Sequence, residues 1–244
     1  MKTTLKLHKE SFVSHFLLPL GKLTDNVILN LTSDKVVATC STPDAGVVVC
    51  AEYISEFDVD KSLTLNLPDV KKFSKLLDGL ADEYITLTFN SNHLAYKSSS
   101  IKFNYFLLEE GYVQRCPVSS AKIQGLTHDS CFTLTSDKLN EILRGHSIAS
   151  DASKVYFFLQ GGEVYAELND KERQNINNIM YSVTDEFEGE DFNTLALNLE
   201  SLRMLTGLRN SKFKVKINNK LNVFLFDIVE DKIKIRFAIS ALVK

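Results

Sequence analysis

One unit of this sequence is written twice. Leu63-Thr-Leu-Asn-Leu-Pro68 alternates apolar and polar residues with the period of a strand. It turns at once into Asp69-Val-Lys-Lys-Phe-Ser-Lys-Leu-Leu-Asp78, where apolar residues recur at helical spacing. Leu195-Ala-Leu-Asn-Leu-Glu200, followed by Ser201-Leu-Arg-Met-Leu-Thr-Gly-Leu208, makes the same switch, and each copy is followed by further alternating runs. A chain organised in this way folds as two similar domains, each with amphipathic helices laid on sheets. Its 244 residues, 44% of them hydrophobic, are enough for two cores.

The alternating runs fill in each half. Thr3–His8, Val27–Leu31, Val36–Cys40 and Val47–Tyr53 read as strands, the last three separated by turns at Thr32–Lys35 and Pro43–Gly46. Glu10–Leu20 reads as a helix that Pro19 and Gly21 end. After the first repeated unit come strands at Tyr84–Phe89, His93–Lys97 and Ile101–Leu108. Periodicity stops over 115–127, rich in Pro, Ser and Gly, which reads as a connector between a domain over 1–114 and another over 128–244. The second half repeats the plan. Cys131–Leu134 is a strand, Thr135 caps a helix over Lys138–Arg144, and Val155–Leu159 and Val164–Leu168 form a hairpin around Gly161-Gly162. Asn177–Val183 is a strand, Asp185–Asp191 an acidic turn, and the last three strands lie at Lys212–Ile217, Asn222–Phe226 and Lys232–Phe237. The class is α+β, with two similar domains, each holding two short helices on antiparallel sheets.

Composition and motifs exclude more than they assign. There is no GxGxxG, Walker loop, HExxH or GxSxG. Ser119-Ser-Ala-Lys122 matches SxxK without its companion motifs. The five His are scattered, and the run Glu186, Glu188, Glu190 and Asp191 lacks the ligand order of a calcium loop, so neither a metal nor another cofactor is expected. No acid, base and nucleophile constellation points to an enzyme. Cys40, Cys50, Cys116 and Cys131 are widely spaced, with no CxxC pair; they read as reduced thiols of a cytoplasmic protein, Cys40 and Cys50 as core fillers. No apolar run approaches the ~18 residues of a membrane span.

What remains is charge on helix faces. Lys+Arg 28 against Asp+Glu 31 gives a formal net charge of -3, so any binding to a polyanion needs local clustering. The helices supply it: His15 and Lys22 on the first, Lys71, Lys72 and Lys75 on the second, Lys138 and Arg144 beside Glu141 on the third, Arg203 on the fourth with Arg209 just beyond. Such cations attract phosphate without reading bases, so contact is sequence-independent and salt-sensitive. A monomeric accessory factor that binds DNA by one basic face, and a structural virion protein built of doubled sheets, are the alternatives.

The repeated Leu63 and Leu195 strands with their helices, Asp137-Lys-Leu-Asn-Glu-Ile-Leu-Arg144, Tyr181-Ser-Val183 and the Val155–Leu168 hairpin resemble a DNA sliding clamp. The likeness is to the polymerase clamps of T-even-type bacteriophages and, more distantly, to proliferating cell nuclear antigen (PCNA). It implies a homotrimeric ring around duplex DNA, opened by a clamp-loader complex, tethering the replicative DNA polymerase and supporting phage late transcription. It implies a subunit interface between Ile101, Phe103, Tyr105 and Leu107 of one copy and Ile179, Tyr181 and Val183 of the next. It also implies a pocket for partner peptides near Val118, Ile123, Leu126, Leu242 and Val243.

Overall fold

Alternation becomes strand almost wherever it is clean. The computed structural model describes residues 3–59, 61–173, 177–208 and 211–242. The described chain packs as two compact units, 1–120 with 229–235, and 121–228 with 236–244.

The first unit contains β1 (Thr3–His8), α1 (a π-helical stretch Ser11–Leu17 continued by an α-helical stretch Leu18–Leu23), β2 (Val27–Leu31), β3 (Lys35–Ser41) and β4 (Val47–Ile54). It continues with β5 (Leu63–Leu67), α2 (Val70–Asp78), β6 (Tyr84–Asn90), β7 (His93–Lys97) and β8 (Lys102–Phe106). Strands β4, β3, β2 and β5 are antiparallel neighbours in that order; β1, β6, β7 and β8 form a second antiparallel sheet. Residues 229–235 group with this unit, where the Ile54 N–H donates to the Lys232 carbonyl (2.8 Å).

The second unit contains α3 (Ser120–Gln124, its first residue in the first unit), β9 (Ser130–Thr135), α4 (Ser136–Gly145), β10 (Lys154–Gln160), β11 (Glu163–Asn169) and β12 (Ile179–Thr184). Then come β13 (Phe187–Gly189), β14 (Leu195–Asn198), α5 (Leu199–Arg203), β15 (Lys212–Asn218), β16 (Val223–Glu230) and β17 (Ile233–Ser240), the last two with residues 229–230 and 233–235 in the first unit. Its sheets order as β13-β9-β15-β16-β17 and β12-β11-β10-β14.

Each core follows from the apolar faces. In the first unit Phe12 and Phe16 of α1 gather around Tyr53 of β4, with ring centroids 5.1 and 6.3 Å from it, and the Tyr53 hydroxyl accepts the His8 N–H at 2.8 Å. Val70, Phe73 and Leu77 are the buried face of α2. In the second unit Phe157 and Phe224 meet at 5.5 Å, and Leu139, Ile142, Leu199 and Leu202 bring α4 and α5 onto the sheets. Truncating one such buried ring to alanine costs about 3–5 kcal/mol. Cys40 and Cys50 are buried, and burial, helped by its cysteine neighbours, pushes the Cys40 thiol up to about 12.

Three local expectations change. Pro19 and Gly21 do not end the first helix, which runs to Leu23. Pro19 falls in the first turn of the α-helical stretch, where a missing N–H costs nothing, and the π-helical turn before it bonds Leu18 N–H to the Val13 carbonyl. Gly21 stays helical because α2 crosses there: a Cβ would lie 3.4 Å from Lys71 Cγ and 3.5 Å from Val70 Cγ1. The acidic turn contains a strand, β13, since the edge of β9 is free to pair with it and Phe187 faces Phe132. The aperiodic 115–127 stretch contains α3, whose one buried residue is Ile123.

Candidate nucleic-acid interface

The helix caps are local and set where the cations start. The Asp69 side chain accepts the Lys72 N–H (2.8 Å), fixing the first turn of α2, and Lys71, Lys72 and Lys75 lie on its exposed side. Lys71 Nζ reaches Asp25 Oδ1 at 2.9 Å, both groups well exposed, whereas Lys72 and Lys75 have no ion-pair partner among the described residues. Lys22, near the end of α1, is half-buried, and burial lowers its pKa. His15, on the π-helical stretch of α1, has its Nδ1 3.1 Å from Glu230 Oε2.

In the second unit Thr135 caps α4 by accepting the Lys138 N–H (3.2 Å), and Asn198 caps α5 by accepting the Glu200 N–H (2.9 Å). Arg144 and Arg203 line one groove with Asp137, Asn140, Leu143 and Thr206. Lys138 is held by Glu141 at 2.6 Å and Arg203 by Glu200 at 2.9 Å. Partly exposed pairs of this kind are worth about 0–1 kcal/mol, so neither carboxylate holds its cation tightly. Arg209 lies outside the described residues. Among the described cations, each unit therefore carries its own helix-borne cluster.

The β1-β6-β7-β8 and β12-β11-β10-β14 sheets each end in an open edge, β8 in the first unit and β12 in the second. Ile101, just before β8, is exposed, and Phe103 is half-buried with its ring 5.4 Å from Tyr96. Tyr105 points into its own unit. Its hydroxyl donates to the Asp69 carbonyl at 2.6 Å and accepts the Asp69 N–H at 3.2 Å, and its ring lies 4.6 Å from Phe73. Burial pushes its phenol up to about 12. Leu107 is half-buried and donates its N–H to the Asn92 carbonyl (2.8 Å). Ile179, Tyr181 and Val183 are half-buried, and Tyr181 lies so close to α4 that a Cβ on Gly145 would collide with its hydroxyl. The residues that most expose apolar surface on these strands are others, Phe106 at 61% and Met180 at 55%. They have the opposite parity to the sets read from the sequence.

The expected peptide-pocket residues are not gathered within one unit. Val118 lines a cavity of about 870 Å³ in the first unit with Ile28, Asn66, Leu108 and Val113. Ile123 and Leu126 belong to the second, where Arg236 Nη1 donates to the Ile123 (3.2 Å) and Gln124 (3.0 Å) carbonyls. Leu242 is exposed, its N–H on the Ala196 carbonyl (2.8 Å), and Val243 lies outside the described residues. Arg236 is itself held by Asp227, through Nε at 2.6 Å and Nη2 at 2.7 Å, with Lys216 Nζ 2.9 Å away. Sequence reading misses this network, because only register brings β15, β16 and β17 charges together.

No family model matches the chain, and no curated protein matches it in sequence. Solved structures do. PCNA from A. fulgidus, bound to the C-terminal region of FEN-1, superposes with a TM-score of 0.78 at 10% identity over 99% of both chains. PCNA from Entamoeba histolytica gives 0.78 at 15% identity over 99% of both. PCNA from Thermococcus kodakaraensis gives 0.76 at 12% identity over 98% of this chain and 100% of that one. The chain thus has the α+β fold of the PCNA clamps over 98–99% of its length, with two helices on antiparallel sheets in each unit and α3 besides among the described residues.

Proposed function

We propose that this chain is a sliding clamp, a processivity factor that encircles duplex DNA as a homotrimer and performs no chemistry of its own. The observation that carries the proposal is the coverage: the clamp fold accounts for 98–99% of the chain. The open edges β8 and β12 support closure of the ring by strand addition between copies, which would also hide edges that invite aggregation. Lys22, Lys71, Lys72, Lys75, Arg144 and Arg203 are the cations offered to phosphate, with Lys138 sharing its charge with Glu141. Paired cations suit a ring that slides, since weak, sequence-independent contacts hold no register.

The replicative DNA polymerase and an ATP-driven loader are the partners this function requires. A peptide partner is supported by the A. fulgidus neighbour, which carries a FEN-1 segment. We also keep the T-even-type affiliation and the late-transcription role within this proposal.

Topology supplies the test. After loading, the protein should stay on nicked circular DNA through gel filtration at raised salt and be lost when the circle is cut, because a ring runs off free ends. Equal retention on circular and linear DNA would replace the ring with a monomeric factor that binds through one basic face.

A further inference from the structure

The sheet β1-β6-β7-β8 turns a second cationic surface outward, unrelated to the helices. None of its four strands contains an aspartate or glutamate, although acids outnumber bases in the chain. Leu5, Leu7, Ile85, Leu87, Leu94 and Tyr96 face inward, which leaves Lys6, His8, Tyr84, His93, Lys97, Lys102 and Phe106 on the other side. Lys97 and Lys102 are direct cross-strand partners, both exposed, with no ion-pair partner among the described residues. Like charges placed opposite one another destabilise a sheet, and nothing in the fold requires the pair. Of the neighbouring acids, Glu83 lies 3.5 Å from His8 Nε2 and Asp82 accepts the Tyr96 hydroxyl at 2.6 Å, while exposed Asp58 bridges Thr4 at the outer edge of β1, away from Lys97 and Lys102.

Aromatic rings flank the lysines. Lys6 sits on the edge strand β1, across from Thr86. Toward one end Tyr84, half exposed, pairs with His8 at 5.3 Å and has Lys6 and Lys232 each 5.6 Å from its ring centre. Toward the other, Phe106 packs at 5.4 Å against His93. From strand rise and spacing, Tyr84 and Phe106 lie roughly 20 Å apart across the face. The matching sheet of the second unit, β9-β15-β16-β17, carries Asp227 and Glu230 on β16, so the fold does not impose acid-free strands.

We propose that this face binds single-stranded nucleic acid, with bases on Phe106 and Tyr84 and phosphates on Lys6, Lys97 and Lys102. Cations alternating with exposed rings on a four-stranded sheet are the chemistry by which unpaired bases are stacked and their backbone held. An acidic peptide fits less well, because it would use the lysines and leave the two exposed rings, Tyr84 and Phe106, without a role. The site lies wholly on the first unit and holds whether or not the chain forms a ring.

The test is fluorescence anisotropy of the full chain with a labelled oligothymidylate of about 16 nucleotides and a duplex of equal length. The single strand should bind more tightly than the duplex. Tyr84→Ala and Phe106→Ala should each weaken it about fivefold or more. Lys97→Gln combined with Lys102→Gln should reduce the slope of log affinity against log salt by about 1.4, while Lys220→Gln, at an exposed lysine of the second unit, should change nothing. Native mass of each variant separates binding from assembly. Tyr84 is remote from the open β8 edge, so its variant keeps the test decisive if Phe106→Ala alters assembly. Equal affinity for duplex and single strand, indifference to both aromatic substitutions, or full displacement by polyglutamate of equal charge would each overturn the proposal.

Discussion

Asp227 shows how one residue can be charged and still structural. Its side chain is 12% exposed, and burial alone would push its carboxyl up. The hydrogen bonds and charges of Arg236 and Lys216 outweigh burial and hold it below the ordinary carboxylate value. Because the folded-state pKa is depressed, the contribution to stability is complete above the unfolded value of about 4 and is lost as pH falls through the folded value. Asp227→Ala removes the carboxylate that Arg236 and Lys216 share and leaves two cations side by side; it should cost about 3 kcal/mol at neutral pH in urea unfolding. The deficit should shrink on acidification, as the wild-type carboxylate is itself neutralised. A deficit of the same size at pH 7 and pH 2 would deny the ion network its role. At this scale the sequence is a poor guide. Tyr105 and Phe106 are adjacent and both aromatic, and only the pleat decides that one packs under α2 while the other faces outward.

Elements were far more legible, for reasons visible in particular cases. β2 and β7 occupy Val27–Leu31 and His93–Lys97 as periodicity predicts, since each has one buried side and turn residues at its ends. β13 was invisible because Phe187 is its sole apolar residue, and it is a strand only through the partner β9 provides. α1 ran past Pro19 because a crossing helix, a matter of tertiary packing, rewards keeping Gly21 in line. Helix α2 carries the prediction at this scale. Replacing Lys71, Lys72 and Lys75 together with alanine should move stability by about 0.5 kcal/mol or less per site, as they are exposed and alanine favours helix. The same variant should shorten retention on circular DNA, read alongside the unfolding curve. Intact retention would remove these lysines from the DNA path.

The whole molecule is where assembly must be read. If β8 of one copy continues into β12 of another, the native mass should correspond to three chains, and the melting temperature should rise with protein concentration, since association favours the folded form. A monomeric mass at tens of micromolar with loader and DNA present would count against the ring. At every scale the division of labour is the same. The sequence by itself determined the doubled plan, most of the strands, the helix caps at Thr135 and the cationic character of α2, because periodicity and capping act over neighbouring residues. Only the tertiary structure decided that β8 and β12 are open edges, that Val118 and Ile123 belong to different units, and that lysines from β1, β7 and β8 share a face with two exposed rings. Those facts depend on which strands become neighbours and in what register, and residues far apart in the chain settle both.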